Sequence, residues 1–196
     1  MTDSYLTIET PGEGIYKEKM SKFMAFAFAV DSAAEAKAAV SGYQKKYFDA
    51  RHVCWAYMIG RERTDFMSND NGEPSGTAGK PILGQINSFG LTNVCVVVVR
   101  YFGGIKLGTS GLIAAYREAA KEALSNAVIV ERHEMTDISF TFPYLAMNDV
   151  MRLAKTDGVK IVGQQFDNSC AMTLRVRAGI KEYMIESLTD IDGVTL

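Results

Sequence analysis

Hydrophobic and polar positions first alternate along this chain, then merge into unbroken apolar runs. In Phe23-Met-Ala-Phe-Ala-Phe-Ala-Val30, Phe26, Phe28 and Val30 share one side and small alanines the other, the period of two of a strand. An extended region from Tyr5 to Glu18 precedes it, and Pro11-Gly12-Glu13-Gly14 reads there as a turn. Asp31 and Ser32 offer N-cap oxygens to an alanine-rich helix reaching about Phe48, with Glu35 near its positive end and Lys45 and Lys46 near its negative end. His52 to Ile59 returns to strand character through Val53, Trp55 and Tyr57. Asn93-Val-Cys-Val-Val-Val-Val-Arg100 is a β-branched run suited to a strand covered on both faces. Leu112 to Ala127 is amphipathic, with Leu112, Ala115, Ala119 and Leu124 on one side and Arg117, Glu118, Lys121 and Glu122 on the other, which predicts a second helix.

The last third repeats a shorter rhythm. Thr136 to Phe142 reads as a strand, Pro143 opens a helix to about Thr156, and Val159 to Phe166 is a strand. Asp167-Asn168-Ser169 turns into a strand at Cys170 to Ala178, a helix follows to about Leu188, and Gly193-Val-Thr-Leu196 closes the chain. The order βαββαβ predicts a ferredoxin-like unit. The whole is of the α/β (α+β) class, with domains at residues 1–132 and 133–196. Charge marks the same boundary: 15 basic against 14 acidic groups before it, 6 against 9 after it.

Composition narrows the function. With 196 residues, 47% hydrophobic and a net charge of −2, the chain is too apolar and too nearly neutral for a disordered regulator or a broad polyanion binder. Cys54, Cys95 and Cys170 are an odd number, far apart and in apolar surroundings, so they read as buried thiols of a reducing cytoplasm. The chain shows neither a signal-peptide pattern nor an apolar run approaching the ~20 residues of a spanning helix, so a membrane partner is not expected.

Candidate chemistry concentrates between Gly72 and Gly111, which hold 9 of the 17 glycines. Within Phe66 to Tyr116 only Asp70, Glu73, Lys80, Arg100 and Lys106 are charged. Arg100-Tyr-Phe-Gly-Gly-Ile-Lys-Leu-Gly-Thr-Ser-Gly111 has the parts of an anion site: a strand end, the glycines Gly103, Gly104, Gly108 and Gly111, Lys106, and Thr109 and Ser110 where a helix begins. It is not a P-loop, since Thr109 stands where that motif needs lysine. The same glycines also suit tight turns and close packing without a ligand. Asp70 and Glu73 are the available acid–base pair, although an Asp within Asn-Asp-Asn-Gly commonly makes Asx-turn bonds. No metal-ligand spacing links the two histidines, His52 and His133, so no metal or cofactor is expected. Trp55, Tyr57, Tyr101 and Phe102 are candidates either for stacking on bases or for the core.

Asp70-Asn-Gly-Glu-Pro-Ser-Gly-Thr-Ala-Gly-Lys-Pro-Ile-Leu83, Val97-Val-Val-Arg-Tyr-Phe-Gly-Gly-Ile-Lys-Leu-Gly108 and Ala50-Arg-His-Val-Cys-Trp-Ala-Tyr57 together resemble the bacterial YigZ-type branch of the IMPACT family over about residues 15–130. The resemblance implies an N-terminal domain like domain 2 of ribosomal protein S5, a four-stranded sheet with a left-handed βαβ crossover, and a ferredoxin-like tail. Eukaryotic relatives regulate translation initiation through protein contacts, whereas fold analogy to ribosome-associated domains suggests RNA or the ribosome as partner. The expected protein is therefore non-catalytic, and binds RNA, the ribosome or a translation-associated protein through a site joining both glycine-rich loops. Lys80, Arg100, Lys106 and the surrounding glycines hold a phosphate in that expectation, with His52 and Tyr101 nearby. The alternatives are an enzyme acting on a phosphorylated or nucleotide substrate through Asp70 or Glu73, and a protein-interaction module.

Overall fold

The computed structural model describes residues 3–166 and 170–196, which fall into two compact units. One comprises residues 5–132, and the other residues 133–196, joined by Asp3 and Ser4.

The first unit is built from β1 (Ser4–Thr10), β2 (Gly12–Glu18), β3 (Ser21–Ala29), α1 (Ala33–Lys46), β4 (His52–Ile59), β5 (Asp65–Asn69), α2 (Gly79–Ser88), β6 (Val94–Tyr101), α3 (Gly108–Asn126) and β7 (Val128–His133). Its main sheet has five strands in the order β2-β3-β6-β4-β5, not the four that the resemblance implies. The fifth, β5, is a largely exposed edge that declares itself only by pairing with β4. β1 and β7 form a separate ribbon. β3 and β4 both run antiparallel to β6, so α1 connects two parallel strands across it.

β6 is buried along nearly its whole length, and its side chains alternate between two cores. Val94, Val96 and Val98 enter the core under α2 and α3, whereas Cys95, Val97 and Val99 join Trp55, Tyr57 and Val40 beneath α1. Ser32 caps α1 by accepting the Glu35 amide, and Glu35 in turn accepts the amide of Asp31, a reciprocal arrangement that satisfies two otherwise orphan donors. Two expectations shift. Pro11 alone separates β1 from β2, and Gly12 and Gly14 belong to β2. α3 begins at Gly108, four residues before the predicted start, so Thr109, Ser110 and Gly111 form its first turn.

The second unit contains β8 (Met135–Phe142), α4 (Met147–Ala154), β9 (Lys160–Phe166), β10 (Cys170–Arg177) and α5 (Lys181–Thr189). Pro143 stays extended, and a 3-10 turn at Tyr144–Ala146 precedes α4. The strand order is β8-β10-β9, all antiparallel, with Thr195 bridging Thr141 on the free edge of β8. That is the order of a ferredoxin-like βαββαβ sheet. Phe140, Phe142, Met172, Leu174, Val150, Met184 and Leu188 fill its core. Asp3 is buried against it, accepting from the Arg177 guanidinium and the Gly179 amide, and these bonds hold its carboxyl well below the usual carboxylate range. The predicted turn at 167–169 lies outside the described residues. All three cysteines are free and buried.

Candidate functional site

Strand register brings the site together. Arg100, at the end of β6, lies opposite Phe23 on one side and His52 on the other, all facing α2 and α3. Its guanidinium rests over the Phe23 ring, 5.4 Å from the centroid, and the residue is only 5% exposed. A buried cation needs a partner. Glu73 provides it: Oε1 accepts from Arg100 Nη1 at 2.5 Å and from the Tyr116 hydroxyl at 2.8 Å. Cys54 Sγ lies 3.3 Å from that hydroxyl. Burial pushes both the Cys54 thiol and the Tyr116 phenol far above their ordinary values, so both remain protonated structural donors.

The loop before α2 is shaped to deliver Glu73. Asp70 accepts the amides of Gly76, Ala78 and Gly79, closing the loop and capping α2 from nine residues upstream. Burial alone raises the Asp70 carboxyl, but these three amides and Lys80 outweigh it and leave it below its ordinary value. Asn71 adopts φ +44°, its Oδ1 accepts the Val53 amide, and its carbonyl accepts from His52 Nδ1 at 2.7 Å. Since a carbonyl only accepts, Nδ1 carries the hydrogen, and Nε2 faces Glu73 Oε2 at 3.7 Å.

Asp70→Asn is expected to cost about 1–3 kcal/mol at pH 7, because it weakens part-buried bonds to three amides. The lowered carboxyl gives a sign. The stabilisation is complete above the unfolded carboxylate range, near pH 4, and fades as pH falls through the lower folded value. Urea unfolding of both proteins should therefore converge as pH falls below the ordinary carboxylate range.

Beyond β6 the chain turns through Gly103 and Gly104. A Cβ on Gly103 would sit 2.0 Å from the Met20 carbonyl carbon, while Gly104 and Gly108 take φ +88° and +74°. α3 then starts without a side-chain cap, leaving its first amides open. Between this helix start and the Glu73 loop lies a cleft of about 430 Å³. Three cations line it, Arg51, Arg100 and Lys106, together with His52, Glu73, Phe102 and the helix start at Leu107 to Thr109. A depression of similar volume on the C-terminal sheet is lined, among the described residues, by no charged side chain.

Of the residues singled out in the sequence, the cleft thus unites His52, Glu73, Arg100, Lys106, Gly108 and Thr109. Gly103 and Gly104 shape the loop, and Ser110 and Gly111 complete the first helical turn outside the lining. Lys80 sits apart, in a separate depression with Arg117. Tyr101 follows the strand alternation to the α1 side, where its hydroxyl donates to Asp49. Asp70 is consumed by backbone amides. The sequence reading missed Arg51, which immediately precedes β4, and Tyr116. Gly108, Leu112 and Tyr116 recur at a spacing of four on one face of α3, a signal that was present. Among the described residues no group of three or more His, Cys, Asp or Glu side chains is placed to hold a metal ion, and no helix is long and apolar enough to cross a membrane.

Residues 19–124, which carry this cleft, match the Impact N-terminal domain family. The chain belongs to the IMPACT family. It is 41% identical to the IMPACT family member YvyE of Bacillus subtilis over 135 residues, 69% of this chain and 62% of that protein, so the match spans less than two thirds of that relative. It is 32% identical to the IMPACT family member YigZ of Escherichia coli over 166 residues, 84% of this chain and 81% of that one. A solved structure described as a hypothetical protein superposes over 97% of this chain and 93% of its own, with a TM-score of 0.74 and 29% identity.

Proposed function

We propose that this chain is a cytoplasmic, non-catalytic RNA- or ribosome-associated protein that influences translation, and that its cleft takes a single phosphate of that partner. The convergence of Arg51, Arg100 and Lys106 on the open start of α3 supports this reading. Among the described residues the one carboxylate lining the cleft, Glu73, is already committed to Arg100, so the other two cations are available to an anion. Family membership supplies the translational part, through the resemblance to eukaryotic regulators. The cleft is a local anchor, not a basic track, and suits a single-stranded or terminal nucleotide.

Arg51 and Lys106 are exposed, so replacing them leaves the core intact. Arg51→Ala and Lys106→Ala are each expected to weaken binding of a single-stranded RNA oligonucleotide several-fold and to reduce the slope of log K against log salt by about 1. Fluorescence anisotropy across a salt series measures both. Unchanged affinity and slope would refute the assignment.

A second reading is favoured by one observation: the cleft lies within the ~300–1,000 Å³ typical of small-molecule sites, with His52 in its lining. An enzyme acting on a phosphorylated substrate would use His52 as its base, because Asp70 is held by amides and Glu73 by Arg100 and Tyr116.

A further inference from the structure

Four aromatic residues stood out in the sequence as candidates for stacking, and their places in the fold separate them. Trp55 and Tyr57 are buried against each other beneath α1, and Tyr101 faces that same side. Phe102 alone of the four lines the cleft, and it is 48% exposed. An exposed phenylalanine is ordinary in itself. This one is held in place: the Arg100 guanidinium lies over its ring at 5.5 Å, and the following Gly103 is packed against the Met20 backbone. Ile105 and Met20, neighbours in the same loop cluster, are 50% and 81% exposed.

Arg100 adds an independent observation. Its Nε is buried and has no hydrogen-bond partner among the described residues, although Nη1 is bound to Glu73. A buried donor of this kind calls for an acceptor. An alkyl chain packed on Phe102 would leave it dry, and inorganic phosphate held at the helix start would leave the ring unused.

Resting on the phosphate reading above, we propose that the ligand is a nucleotide whose base packs on Phe102, with its phosphate at Lys106 and the first turn of α3 and a base or ribose oxygen facing Arg100 Nε. The chemistry is that of a nucleoside monophosphate, free or at the end of an RNA strand.

Isothermal titration of the full chain with inorganic phosphate, ribose 5-phosphate and UMP tests this. UMP should bind roughly tenfold more tightly than ribose 5-phosphate, the increment of one base stacked on an aromatic ring. Phe102→Ala should abolish that ratio without changing phosphate binding, and Phe102→Trp should retain it. A ratio of one in the unsubstituted protein, or a ratio unaffected by Phe102→Ala, overturns the nucleotide inference while leaving the phosphate site standing. Absence of binding by all three overturns both. A 5′-phosphorylated RNA trimer binding more tightly than UMP supports the inference with an RNA end as the source, and equal or weaker binding supports it with the free nucleotide.

Discussion

Glu73→Ala is expected to destabilise the N-terminal unit by about 3–5 kcal/mol, the usual result of removing one partner from a buried ion pair. The cause is what remains. Arg100 would be left as an uncompensated cation at 5% exposure, with the Tyr116 hydroxyl also without its acceptor. Replacing both partners with apolar residues of similar volume, as in Glu73→Leu with Arg100→Met, should recover much of the loss, because no charge is then stranded. Urea denaturation of the single and double variants, followed by tryptophan fluorescence from Trp55, measures the difference. Equal destabilisation in both would show that packing of the side-chain volumes, and not charge pairing, holds this part of the core.

Gly12→Ala carries the second large effect, about 3 kcal/mol or more of destabilisation. A Cβ on Gly12 would lie 2.1 Å from the Ala123 carbonyl oxygen and 2.4 Å from the Ala127 amide nitrogen, and both are backbone atoms of the tightly packed end of α3 and its cap. Backbone cannot rotate aside as a flexible side chain can. Gly42→Ala is the matched control: Gly42 lies within α1 with open space around its Cα, so alanine there should stabilise by about 0.5–1 kcal/mol. Thermal unfolding should move in opposite directions for the two variants.

Gly12 also shows where the sequence stops being legible. Within Pro11-Gly12-Glu13-Gly14 the glycines look like a turn, yet they sit in a strand and admit a helix more than 100 residues later in the chain. That requirement is tertiary, and no local pattern contains it. β5 was unreadable for a related reason, since Asp65-Phe-Met-Ser-Asn69 gains its strand character from pairing with β4 and not from its own alternation. α2 was hidden because its N-terminal cap, Asp70, lies far upstream and its first residues are Gly79, Lys80 and Pro81. By contrast, β6 and α1 were legible: a β-branched run buried on both faces and a helix carrying its own caps are local facts.

The candidate site divides in the same way. Arg100 and the glycine-rich loop are visible in the sequence, and the strand register explains why Arg100 points inwards with His52 while Tyr101 points away. Lys80 is one of few charges in the same apolar stretch of sequence, but α2 carries it to a different surface. Glu73 entered as an acid–base candidate and is the counter-ion that makes a buried arginine tolerable. Its partner Tyr116 stands 43 residues away in sequence and becomes its neighbour only through packing of α3.

Titration of isotopically labelled protein with phosphate, monitored by amide chemical shifts, tests the cleft most directly. Phosphate should move the amides of Gly108, Thr109 and Ser110, with the His52 ring shifting along the same saturation curve. Saturable shifts confined to other surfaces, or no shifts up to millimolar phosphate, would contradict an anion site at the start of α3.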